Sequence, residues 1–187
     1  TVAATYFPVK SPVCPIKATV DNMVLTRESS DELTISVRQK QGNTPIMKLG
    51  LKCDANTAIW QKLKLKLIGS CVDGNINLVS VWKDVDKDGF FTVADSTPGT
   101  ESKYPGRITY GTEIFTNRDL EIKFKEEQVI PSTYTAYYFV TYNIDQFAEL
   151  GKTLGAEITD MTFFSVQVPD EVAVDPNLVL PFKTKEA

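Results

Sequence analysis

The chain reads as an all-β protein, an antiparallel β-sandwich. Apolar and polar residues alternate with a period of two along most of its length, turn-forming residues separate the alternating runs, and only one short stretch keeps a helical spacing. The 187 residues suffice for a large domain that buries roughly 70% of its unfolded surface. A hydrophobic content of 42% and a charged fraction of 24% are ordinary for a globular chain.

The elements follow in order. Over 18–25, Val20 and Val24 fall on alternate positions, and Leu33, Ile35 and Val37 define a second run. Met47 to Cys53 alternates again, and a hairpin is expected between Leu49–Cys53 and Trp60–Leu67. In Leu63-Lys64-Leu65-Lys66-Leu67 the lysines mark a solvent face, a pattern that also protects an edge strand from unwanted strand addition. Ile76, Leu78, Ser80 and Trp82 share one side of the next strand, with Val79 and Val81 on the other. Leu120, Ile122 and Phe124 give a half-buried strand, 134–142 is aromatic and β-branched enough to be buried on both faces, and Phe164, Val166 and Val168 close the series. Turn signals stand at Gly42-Asn43, Asp54-Ala55-Asn56, Asp73-Gly74-Asn75 and Asn117-Arg118-Asp119. The helical spacing is that of Ile144, Phe147 and Leu150, with Gly151 as a stop. Prolines 8, 12 and 15, and again 169, 176 and 181, read as connector sequence. The expected division is an N-terminal connector over 1–16, a sandwich over 17–170 and a C-terminal connector over 171–187. A start at Thr1-Val2-Ala3-Ala4, without Met or a signal-like segment, suggests an excised or processed piece.

Composition excludes several functions. A net charge of −4, a pI near 5.0 and the lack of any basic run make nucleic acid an unexpected partner. No stretch approaches 18 apolar residues, so no membrane insertion is expected within this chain. Histidine is absent, which rules out Ser-His-Asp and Cys-His catalysis and imidazole zinc sites. Cys14, Cys53 and Cys71 lack C-x-x-C spacing. Cys53, near the hairpin tip, lies too far from Cys71 for a bridge of about 6 Å between Cα atoms. That leaves a Cys14–Cys71 disulfide or three reduced thiols. Asp119, Glu121, Glu126 and Glu127, interleaved with Lys123 and Lys125, read as a solvated edge. No nucleophile has a base beside it, so no enzyme is expected.

The most specific motif is Asp84-Val85-Asp86-Lys87-Asp88-Gly89-Phe90-Phe91-Thr92-Val93-Ala94-Asp95. Alternate carboxylates at Asp84, Asp86 and Asp88 can converge in a tight turn, and Gly89 permits the bend. Phe90 offers a main-chain carbonyl, Thr92 a hydroxyl or water contact, and Asp95 a closing carboxylate. At roughly 5 Å in water each carboxylate pair repels by about 0.8 kcal/mol, which a hard cation relieves. Calcium suits this set better than magnesium, which prefers fewer carboxylates and keeps its waters. The competing reading is an acidic, solvated turn.

Several segments resemble the calcium-binding immunoglobulin-like repeat modules of bacterial secreted and surface-layer proteins. The likeness rests on Pro45-Ile46-Met47-Lys48-Leu49-Gly50-Leu51 followed by Leu63 to Leu67, then on Ile76 through Trp82 into Asp84, Asp86, Asp88 and Gly89. It continues through Ile130-Pro131 with Tyr134 to Ile144, and Asn177-Leu178-Val179-Leu180-Pro181-Phe182, covering about residues 30 to 182. The resemblance implies an immunoglobulin-like sandwich with the calcium loop inserted between strands. It also implies a mechanical or adhesive role outside the cell, with neighbouring repeats or identical copies as partners. The Phe90-Phe91 pair departs from the small or acidic residues of such loops: one ring packs beneath the loop or is displayed to a partner. The single loop copy with β flanks is similar to a dockerin only at the ion.

The expected function is therefore a non-catalytic, calcium-stabilised structural module of the cell surface. The alternative is a calcium-bearing carbohydrate-binding module that recognises glycans through Trp60, Trp82, Tyr104, Tyr110, Tyr137 or Tyr138. Core packing is the competing role for most of these rings.

Overall fold

The computed structural model describes residues 19–26, 36–96, 106–184 and 186–187. Over these the chain forms β1 (Asn22–Thr26), β2 (Thr44–Cys53), β3 (Thr57–Ile68), β4 (Ile76–Lys83), α1 (Val93–Ser96), β5 (Asp119–Pro131), β6 (Ala136–Ile144), β7 (Gly155–Ile158), β8 (Phe164–Val166), β9 (Glu171–Val174) and β10 (Phe182–Lys183). One sheet has the order β4-β6-β2-β1-β9; the other runs β10-β7-β3-β5, with β8 also on β3. Every pairing is antiparallel except β1 with β9. The chain is thus all-β, with two largely antiparallel sheets enclosing one core.

Met23, Leu25, Leu49 and Leu51 of the first sheet and Leu63, Leu65, Leu67 and Ile122 of the second belong to that core. Trp60 joins the layers: its ring meets Phe124 of β5 at 4.5 Å and Tyr138 of β6 at 5.1 Å, both edge-on. Such pairings contribute beyond the buried area alone. A large bulge makes room, since Gln61 of β3 stands opposite the whole of Phe124 to Glu127.

Several expectations need correction. In β1 the core residues are Met23 and Leu25, while Val20 is 49% exposed. Pairing of Met23 with Cys53 and Leu25 with Leu51 fixes the register, and a one-residue offset exchanges the faces. β2 and β3 are not a hairpin; the turn at Asp54–Asn56 carries the chain from one sheet to the other. Their apolar faces pack against the shared core instead of lying side by side. β3 is also central, flanked by β5 and by β7 and β8, so its lysines mark an outer face rather than an edge. There Lys62 and Lys64 meet Glu121 at 3.2 and 3.9 Å.

No helix forms over 144–150. β6 runs to Ile144, and the Asp145 carboxylate then accepts the Phe147 N–H at 2.7 Å. That turn diverts the backbone and leaves Phe147 and Leu150 each 81% exposed. The last expected strand shortens to β8, preceded by a 3-10 turn at Met161–Phe163. Nor is 171–187 a connector, because β9 pairs with β1 and β10 with β7. The expected connector over 1–16, with Cys14, and most of the expected 33–37 strand lie outside the described residues, as does Tyr104. Cys53 and Cys71 are buried free thiols. Among the described residues no helix is long and apolar enough to cross a membrane.

One irregular segment, 106–115, runs along the side of the molecule between the sheets. Lys83 donates its N–H to the Gly106 carbonyl (2.7 Å), Val79 to Glu113 (2.8 Å), and Ile108 to Val81 (3.0 Å), so the segment lines β4. The Ile108 carbonyl accepts the N–H of Lys125 on β5 at 2.9 Å. It therefore stitches one sheet to the other. Glu113 fixes its far end, its carboxylate accepting the N–H groups of Tyr110, Gly111 and Thr112 at 2.7–2.9 Å. Gly111 makes that nest accessible with φ +95°.

Candidate metal centre

The acidic loop begins where β4 leaves its sheet. Asp84 still donates its N–H to the Tyr137 carbonyl of β6 at 3.0 Å, so the first carboxylate is set by the sheet itself. Its side chain, only 4% exposed, accepts the Lys87 N–H at 2.7 Å and the Gly89 N–H at 2.8 Å. Positive φ at Lys87 (61°) and Gly89 (79°) curls the backbone around it. Asp86 and Asp88 are exposed, and one oxygen from each of Asp84, Asp86 and Asp88 lies within 4.8 Å of the others. Donors about 2.3–2.6 Å from a calcium ion can be at most about 5 Å apart. The triad fits around one metal ion.

Burial pushes the Asp84 carboxyl above its ordinary 3.8, and Asp86 and Asp95 push the same way, against the pull of the Gly89 and Lys87 N–H groups. A cation would reverse that imbalance.

The other expected ligands have distinct surroundings. Asp95, on α1, is fully buried. One oxygen accepts the Val85 N–H (2.8 Å), the other the Thr92 N–H (2.9 Å). It closes the loop through the backbone and stands apart from the cluster of three. The Thr92 hydroxyl accepts the Ala94 N–H at 3.1 Å. Phe90 donates its N–H to Asp88 at 2.7 Å, and its ring is 60% exposed.

Phe91, not Phe90, packs beneath the loop, its ring 5.7 Å from Trp82 and 5.6 Å from Phe139. These rings form a small apolar cluster that pins the loop. Two lysines stand nearby, Lys48 4.4 Å over the Tyr137 ring and Lys87 4.4 Å over Tyr134. Nothing local in the sequence signals Lys48, which arrives from β2. Among the proposed sugar-stacking rings, Trp60, Trp82 and Tyr138 are buried and Tyr110 is 59% exposed.

No protein-family model matches this chain, and a search of curated proteins finds no significant match.

Proposed function

We propose that the chain is a non-catalytic structural module of the cell surface, an immunoglobulin-like sandwich whose loop between β4 and β5 takes up calcium. The observation that carries this reading is the convergence of Asp84, Asp86 and Asp88 at the end of a sheet strand. Asp84, Asp86 and Asp88 would hold the ion, with Phe90 and Thr92 as further proposed ligands; Asp95 would join them only by turning an oxygen away from its backbone partners Val85 and Thr92. The ion would cancel carboxylate repulsion and stiffen a long connection. Calcium sites of extracellular modules bind at roughly 10⁻⁴–10⁻³ M, which external calcium keeps filled. Ten times the dissociation constant adds only about 1.4 kcal/mol to stability. Neighbouring repeats or identical copies are the proposed partners. Burial of Trp60, Trp82 and Tyr138 favours this reading over glycan binding.

Thermal melting with calcium and with chelator tests the proposal. Calcium is expected to raise the wild-type midpoint, and Asp84→Ala with Asp88→Ala to abolish that rise. A wild-type curve indifferent to both additions would overturn the reading.

A further inference from the structure

We infer that the cation site locks the seam between the two sheets, so that occupancy of the Asp84 loop governs how firmly segment 106–115 holds β4 to β5. The inference rests on the calcium reading above and goes beyond it, because seam and triad share a framework without sharing ligands.

The connection is short and packed. Lys83, the residue before Asp84, donates its N–H to Gly106 at 2.7 Å. Gly106 lies so close to the loop's end that an added Cβ would stand 2.4 Å from the Asp95 carbonyl oxygen and 3.1 Å from that of Lys83. Asp95 reaches back through its carboxylate to Val85 and Thr92. The start of the loop, its end and the first residue of the seam therefore touch one another as a triangle. Two residues past Gly106, Ile108 bonds to Val81 on one sheet and to Lys125 on the other. Drawing Asp84, Asp86 and Asp88 onto an ion tightens one corner. Without it, the mutual repulsion of these three closely placed carboxylates strains that corner. Coupling of this kind is reciprocal: whatever loosens the seam must weaken the ion's hold by the same factor.

Amide hydrogen exchange on the unmodified protein, with calcium and with chelator, reads the seam directly. Calcium is expected to slow exchange at Val79, Ile108 and Lys125 by about tenfold, about 1.4 kcal/mol. Amides paired between β3 and β7 should change much less. Calorimetric titration supplies the reciprocal arm. Glu113→Ala removes the acceptor of three N–H groups at the far end of the segment and touches no ligand, yet should weaken calcium binding at least about fivefold. Calcium binding that leaves the seam amides unchanged relative to β3–β7 would overturn the inference and spare the proposed function. Wild-type affinity in Glu113→Ala would do the same. No calcium binding at all would remove both.

Discussion

Glu157 and Lys183 show how a single pair ties the end of the chain into the second sheet. Their charged groups lie 3.0 Å apart, and the Thr159 hydroxyl donates to the same carboxylate at 3.1 Å. The hydrogen bond from Lys183 holds the Glu157 carboxyl below its ordinary 4.5. A depressed carboxylate pKa stabilises the fold fully above the unfolded value and loses that contribution as pH falls through the folded one. Lys183→Ala should thus lower the urea midpoint at neutral pH, and the gap from wild type should close below about pH 4.5. A gap that stays constant into acid would show the pair to be energetically silent. The acidic motif was legible because alternate aspartates before a glycine are a local pattern, and Asp84, Asp86 and Asp88 do converge. Phe91 was not separable from Phe90 in the same way, since the choice depends on Trp82 and Phe139, which only the sheet brings beneath the loop.

Arg118 organises an entire connection. Its guanidinium donates to the carbonyls of Leu67 (3.1 Å), Cys71 (2.8 Å) and Gly69 (2.9 Å), while its own N–H meets the Asp73 carboxylate. The planar fork thereby holds the exit of β3 against the entry to β5. Lysine cannot reproduce three divergent donors from one plane, so Arg118→Lys should cost about 2–4 kcal/mol. Urea denaturation checks this, and a loss below about 0.5 kcal/mol would show that water replaces the clamp. Strands were readable where alternation had one meaning, as in Leu63 to Leu67. Alternation is ambiguous where it serves two outcomes. The alternation in β2 and β3 does not say whether two apolar faces lie side by side or face each other, and Ile144 to Leu150 kept helical spacing while Asp145 turned the chain aside.

Strands adjacent in sequence mostly lie in opposite sheets: from β2 to β3, β3 to β4, β4 to β5, β5 to β6 and β6 to β7 the chain crosses each time. Few pairings are local, so chain entropy must be lost before the core rewards it. Refolding followed by tryptophan fluorescence should take milliseconds to seconds; completion within microseconds would mean that the core forms without this topology. The parallel pairing of β1 with β9 has another consequence. Asn22, Met23, Val24 and Leu25 lie beside Glu171, Val172, Ala173 and Val174 in the same direction. Tension entering ahead of β1 and leaving beyond β9 would slide the two strands lengthwise, loading these rungs together in shear. An antiparallel pair pulled from adjacent ends would instead unzip rung by rung.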